Sequence, residues 1–166
     1  MKRNINLQPL SRDHHHGLLL GWKIRQGLKR MARPELISEY VQYFSDKALM
    51  PHFREEEEFV LCFLADDDPY KERTLNEHSE IRTAISNLSE TDGQIAALLL
   101  ELAETLDSHI RFEERELFPY MERKLSAEQL QELGTLISGD HQPFVEDFHS
   151  EFWVAKVDEA EPGFDK

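Results

Sequence analysis

The chain has 166 residues, the size of a single domain that buries a core without disulfide bonds. Its 33 acidic residues outnumber its 19 basic ones, and the formal net charge of -14 argues against nucleic acid or an anionic membrane surface as a partner. The one cysteine, Cys62, excludes an internal disulfide and a thiolate metal cluster, and we expect it to be an inert buried thiol. We predict one domain over residues 1–166.

The sequence has no segment typical of membrane insertion or secretion. The amino-terminal stretch MKRNINLQPLSRD carries two basic residues without a following apolar run, and no run of about 18 apolar residues occurs. A single cysteine suits a reducing compartment. We therefore expect a cytoplasmic protein that does not associate with membranes.

Apolar residues recur every three and four positions, and few alternating runs occur between the seven glycines and seven prolines, which predicts an all-helical chain. Ser11 is expected to cap a first helix that ends near Ala32. A second helical segment extends from Pro34 to about Ala65. Pro51 should kink or split it, because proline lacks an amide hydrogen and its ring clashes with the preceding turn.

A third helix is expected to start at Asp68 as the cap and to end near Leu88. After the loop SETDG, Asp92 is expected to cap a fourth helix that ends near Leu125. Four long amphipathic segments with short connections predict an up-down four-helix bundle over about residues 10–125.

The remaining residues predict a helical appendix over about 126–155. The sequence from Ser126 to Gln129 has the form of a capping box and predicts a short helix that ends near Ser138. Gly139 and Asp140 are expected to start one more short helix.

Two of the predicted helices place a histidine and a glutamate one turn apart on the stripe that should be buried. They are His52 with Glu56, and His109 with Glu113, and large apolar residues flank each pair. The third helix sets His78 into its apolar stripe. Burying an unpaired imidazole or carboxylate is costly, so several that converge need a common partner.

The run RDHHHG, residues 12–17, adds a candidate from the first helix. Consecutive helical residues point about 100° apart, so the three histidines cannot face one point. His14 lies roughly 50° from the centre of the apolar side, whereas His15 and His16 lie far from it. We predict His14 as the inward residue, keep His15 as the alternative, and expect His16 to face solvent.

The two halves of the chain repeat one pattern, in which an acidic residue and a histidine precede a histidine and a glutamate four residues apart. The members are Asp13, His14, His52 and Glu56 in the first half and Glu77, His78, His109 and Glu113 in the second. Folded together in a bundle core, four imidazoles and two carboxylates match two metal ions that share bridging glutamates. This donor set favours iron, with manganese or zinc as alternatives.

The segments HFREEEEF, NEHSEI and HIRFEERELFP resemble the signature of the hemerythrin-like, HHE cation-binding family, over roughly Leu10 to Leu125. The resemblance implies a non-haem di-iron centre in a four-helix bundle. It implies that His14 and His52 bind one iron, that His78 and His109 bind the other, and that Glu56 and Glu113 bridge them.

One position departs from the pattern of the oxygen-carrying hemerythrins. They have a further histidine one turn before the third-helix ligand, where this chain has Thr74. The resemblance then implies that one iron loses a protein ligand and that each metal has an open position. This favours small-molecule chemistry, sensing or iron handling over reversible oxygen carriage.

Each ligating histidine should donate a hydrogen bond from its second ring nitrogen to an acidic residue, and Asp13, Glu77 and Glu55 are the candidates. We expect the EEEE run beyond Glu56 to be mostly a solvated face. His141 and His149 are assigned to a packing helix that covers the bundle and are left out of the site.

The pattern favours a di-iron module that binds or reacts with a diatomic ligand or peroxide, in sensing or in iron and redox handling. One alternative is an enzyme that reduces nitric oxide or peroxide or delivers iron. A second is a metal-free helical interaction module. Residue spacing does not separate the first two, whereas the metal content separates both from the third.

Overall fold

The computed structural model describes residues 2–89 and 93–155, and this part of the chain is helical and without strands, as predicted. Four antiparallel helical rods form the bundle. The first rod is α1 (Gln8–Lys29), and the third is α4 (Pro69–Asn87). The second consists of α2 (Pro34–Phe44), a π-helical turn (Ser45–Leu49), α3 (Met50–Glu55), a second π-helical turn (Glu56–Val60) and a 3-10 turn (Leu61–Phe63). The fourth consists of α5 (Ile95–Phe112), a π-helical turn (Glu113–Leu117) and α6 (Phe118–Lys124), and α7 (Ala127–Asp140) follows it.

Two of the expected helix starts are confirmed by their hydrogen bonds. The Asp68 carboxylate accepts from the backbone amide of Tyr70 at 2.9 Å, at the start of α4. At the start of α7, the Ser126 hydroxyl accepts from the amide of Gln129 at 3.1 Å, and the Gln129 side chain accepts from the amide of Ser126 at 2.9 Å. Both caps satisfy amides that have no partner within their helix.

The expected cap at Ser11 is wrong, because α1 begins three residues earlier, at Gln8. Pro9 lies in the first turn, where a missing amide hydrogen costs nothing. Ser11 is therefore inside the helix, and its hydroxyl donates to Glu114 at 2.6 Å. The expected cap Asp92 lies outside the described residues.

The second appended helix is also a wrong prediction. Gly139 and Asp140 are the last residues of α7 rather than the start of a new helix, and residues 141–155 follow without helical structure. In the described ranges, none of the helices is both long and apolar enough to cross a membrane.

The regular α-helix of the second rod is interrupted next to Pro51, which lies in the first turn of α3 directly after a π-helical turn, but the backbone stays helical and the rod is not split in two. The other two π-helical turns begin at Glu56 and at Glu113. A π-helical turn inserts one extra residue into a helix and changes the direction of the side chains that follow. Both glutamates singled out in the sequence thus start a local irregularity of an otherwise regular rod.

The buried apolar side chains form two clusters, one toward each end of the bundle. Along α1, Leu10 belongs to one cluster and Leu20 to the other, with the buried residue His14 between them. Along the fourth rod, Ile110 belongs to the cluster of Leu20 and Leu117 to the cluster of Leu10, with the buried residue Glu113 between them. A polar layer therefore separates two apolar halves of the core.

Residues 141–155 lie against α1 and α2 and are held there by aromatic packing. The ring of Tyr40 lies 5.4 Å from that of Phe152 and 5.3 Å from that of Trp153. Gly27 permits this approach, because a Cβ atom there would lie 2.6 Å from the Phe152 ring. The Lys23 ammonium lies 4.0 Å from the centre of the Trp153 ring. We call residues 141–155 the carboxyl-terminal segment.

Replacing Phe152 with alanine should destabilise the protein by about 3 kcal/mol, because a buried ring is lost and its pocket beside Gly27 stays empty. Urea unfolding measures the change. The matched control is Val154→Ala, whose side chain is exposed and whose loss should change the stability by less than about 0.5 kcal/mol. Equal effects of the two variants would mean that the segment is not packed as described.

Candidate metal centre

The six residues predicted from the sequence converge in the polar layer between the two apolar clusters, and none of them is more than 6% exposed. All four rods contribute to the group. Its members are His14 from α1, His52 and Glu56 from the second rod, His78 from α4, and His109 and Glu113 from the fourth rod. His15 is exposed, so the structure brings His14 rather than its neighbour into the group.

The first half of the group brings His14 and His52 to the two glutamates. His14 Nε2 lies 3.0 Å from Glu113 Oε2 and 3.5 Å from Glu56 Oε1. His52 Nε2 lies 3.0 Å from the same Glu56 oxygen. One donor atom from each of the four residues lies within 4.8 Å of the others.

The second half uses the other oxygen of each glutamate. His78 Nε2 lies 3.3 Å from Glu56 Oε2 and 3.6 Å from Glu113 Oε1. His109 Nε2 lies 3.2 Å from Glu113 Oε1. Separations of this size between donors are those expected when each donor lies about 2.1 Å from a shared ion. Each carboxylate thus offers one oxygen to each histidine pair.

The atoms that face the middle of this group lie 3.0 to 3.6 Å from one another, but none of them makes a well-aligned hydrogen bond to a described residue. They are the Nε2 atoms of His14, His52, His78 and His109 and both carboxylate oxygens of Glu56 and Glu113. Buried polar atoms without a partner are rare and costly. Eight of them around two small volumes, all of types that bind transition metals, fit two cations.

The second ring nitrogen of every histidine in the group meets a carboxylate. The pairs are His14 with Glu114 at 2.7 Å, His52 with Asp13 at 3.1 Å, His78 with Glu57 at 2.8 Å, and His109 with Glu77 at 2.8 Å. A hydrogen bond donated from Nδ1 to a carboxylate leaves the lone pair of Nε2 directed at the centre. The group is therefore pre-oriented for metal binding.

These pairs confirm Asp13 and Glu77 as acceptors and correct the expectation for Glu55, which contacts His141 instead. Glu57 and Glu114 were missed. Each directly follows one of the two central glutamates, so the doublet of acidic residues after each histidine-x3-glutamate spacing was the available signal.

The acidic run from Glu55 to Glu58 is not mainly a solvated face. Glu55 is 3% exposed, and its carboxylate accepts from His141 Nδ1 at 2.9 Å. Within the run only Glu58 has an exposed side chain. His141 thus reaches the surroundings of the centre although sequence reasoning left it out, whereas His149 is exposed.

Cys62, His16 and Thr74 were also singled out in the sequence. Cys62 is exposed rather than buried, and its thiol donates to the backbone of Phe59. His16 is half-buried, with its ring 5.4 Å from that of Phe144. Thr74 is fully buried, but its hydroxyl donates to the Tyr70 carbonyl at 2.8 Å within its own helix. Thr74 therefore does not stand in for a ligand.

A cavity extends from the group toward the carboxyl-terminal segment. Its inner wall includes His14, His52, His109 and Glu113, and its apolar walls include Phe44, Leu49, Phe53, Leu106 and Ile110. The residues that line the rest include Asp13, Lys47, Glu55, His141, Gln142 and Phe144. The cavity leads from the residues of the candidate centre to the face that this segment covers.

In the metal-free protein, protonated histidines balance the negative charge of the buried glutamates. Burial disfavours the protonated form of His52, but the carboxylates of Glu56 and Asp13 raise its pKa to about 9. Burial likewise opposes protonation of His78, while Glu113 and Glu56 raise its pKa to about 11. Without a metal ion, protons on the imidazoles supply the positive charge that the buried carboxylates require.

The metal-free protein should lose stability as the pH rises. A histidine with a pKa raised from 6.5 to about 9 stabilises the folded state below pH 6.5, and this contribution is lost as the pH rises toward 9. Urea unfolding at both ends of this range measures the loss, which the metal-loaded protein should not show. A metal-free protein that gains stability over this range would contradict the assignment.

The family model of the hemerythrin HHE cation binding domain matches residues 9–121 and residues 71–150 of this chain. Comparison with curated proteins gave no match, and neither did comparison with solved structures. The two matched ranges together cover most of the chain, including all six residues of the central group. The chain belongs to the hemerythrin HHE cation-binding domain family.

Proposed function

We propose that this chain is a non-haem di-iron protein that binds or reacts with a small ligand such as dioxygen, nitric oxide or peroxide. One observation carries the proposal. Glu56 and Glu113 each direct one oxygen toward His14 and the other toward His78, so two cations can share both carboxylates.

In this proposal, His14 and His52 hold one ion, His78 and His109 hold the other, and the two glutamates bridge them. Imidazole and carboxylate donors suit iron, with manganese or zinc as alternatives. When bound, two ferrous ions would supply one electron each to an oxidising ligand. The outer carboxylates would keep each imidazole in the tautomer that binds metal.

The cavity supports a small ligand rather than a large substrate. Aromatic and aliphatic side chains form much of its wall, with Phe53 stacked 3.7 Å from His78 and Ile110 beside His109. Such walls limit the access of water to the centre and leave space for a molecule of a few atoms. We infer that such a centre would act in sensing or in iron and redox handling.

Purified protein supplied with iron should contain two irons per chain, and His52→Ala and His109→Ala should each lose most of that iron, because each variant lacks a direct ligand. Elemental analysis measures the content, and the absorption spectrum of the oxidised protein reports an oxo bridge. His15→Ala is the matched control from the exposed side of α1 and should keep both irons. Less than half an iron per chain in the parent protein would contradict the proposal and support a metal-free interaction module.

Rapid mixing of the reduced, iron-loaded protein with dioxygen, peroxide and nitric oxide distinguishes a binding protein from an enzyme. A binder should form a stable adduct at one ligand per site, whereas an enzyme should consume the ligand repeatedly when a reductant is supplied. We expect a spectral change with at least one of the three ligands, because the cavity reaches the ligands of both ions. No change with any of them would contradict small-ligand chemistry at this centre.

A further inference from the structure

A separate cluster of metal-binding residue types lies along the cavity that reaches the centre. It consists of Asp13 from α1, Glu55 from α3 and His141 from the carboxyl-terminal segment. His141 Nδ1 lies 2.9 Å from Glu55 Oε2 and 3.6 Å from Asp13 Oδ2. One donor atom of each residue lies within 4.8 Å of the other two.

This cluster is short of positive charge. The Glu55 side chain is 4% exposed and that of Asp13 is 19% exposed, so water screens the two carboxylates poorly. Among the described residues, the groups in ion-pair contact with them are the imidazoles of His52 and His141. Neighbouring Arg54 pairs with Asp140 and Glu58 instead. In the described chain, no arginine or lysine lies within ion-pair distance of either carboxylate, and Lys47, which lines the same cavity, makes no such contact with them.

The spacing of the donors is compatible with a shared cation. Oxygen and nitrogen atoms that share an ion at about 2.1 Å lie about 3 Å apart. The 2.9 Å between His141 Nδ1 and Glu55 Oε2, which is a hydrogen bond in the metal-free protein, has this size, and the 3.6 Å to Asp13 Oδ2 is somewhat longer. Three protein donors, with His141 14% exposed, leave further coordination positions open to water. With only three protein donors, a cation here would be held more weakly than one held by four donors in the candidate centre.

We propose that Asp13, Glu55 and His141 bind a third divalent cation, and that ions pass through this site on their way to the centre. Asp13 connects the two sites, because the same carboxylate oxygen lies 3.1 Å from His52 Nδ1 and 3.6 Å from His141 Nδ1. The cavity that all three residues line continues to His14, His109 and Glu113. The role as an entrance rests on the proposed function, whereas the binding of the ion does not.

Manganese titration of the iron-loaded protein under anaerobic conditions tests this site. Electron paramagnetic resonance measures free Mn²⁺, and elemental analysis counts both metals. The parent protein should bind one Mn²⁺ in addition to two irons, and His141→Ala should keep both irons but bind Mn²⁺ at least about tenfold more weakly. His149→Ala, with an exposed histidine in the same segment, is the matched control and should behave as the parent.

Glu55→Gln guards against a folding defect in the histidine variant, because it removes the charge and retains a hydrogen-bonding side chain at the same position. It should also weaken Mn²⁺ binding and slow iron uptake by the metal-free protein, without changing the final count of two irons. Equal Mn²⁺ affinity in the parent, His141→Ala and Glu55→Gln would overturn the third site. Parent protein that retains no iron but still binds one Mn²⁺ through His141 would instead refute the proposed function and leave this site standing.

Discussion

The constraint on which the structure depends is the burial of two carboxylates and four imidazoles between two apolar clusters. Glu56 and Glu113 are fully buried, and their oxygens face histidine nitrogens rather than hydrogen-bond donors fixed by the backbone. Apolar side chains could fill this layer at lower cost. In a family of cation-binding domains, a bound cation would offset this cost, and all four rods contribute side chains to the layer.

The two halves of the chain hold each other in place through the outer carboxylates. Within each half, the acidic residue before the first histidine accepts from the second histidine, as Asp13 does from His52. Between the halves, the acidic residue that follows each central glutamate accepts a hydrogen bond from a histidine of the other half. Glu57 accepts from His78 in this way, and Glu114 accepts from His14. This crossed pattern links all four rods around the centre, so the orientation of each ligand depends on both halves.

The helical rods and most of the candidate ligands could be predicted from the sequence because both depend on the spacing of residues close together in the chain. Helical periodicity located the rods, and four-residue spacing placed His52 with Glu56 and His109 with Glu113 on buried faces. The π-helical turns at the two glutamates could not be foreseen from an ideal helical wheel, which is why the roles of their acidic neighbours were missed. His141 was missed for a different reason: its place is set by the docking of the carboxyl-terminal segment, which has no periodic pattern.

The segment that escaped prediction is also the part that connects the centre to its surroundings, since His141 and Phe144 line the cavity that leads to the ligands. The most direct test of the account is a crystal structure of the iron-loaded protein with anomalous diffraction measured at the iron absorption edge. The account predicts two strong peaks roughly 3.5 Å apart between Glu56 and Glu113, one beside each pair of histidines. A single peak, or peaks away from these glutamates, would contradict it.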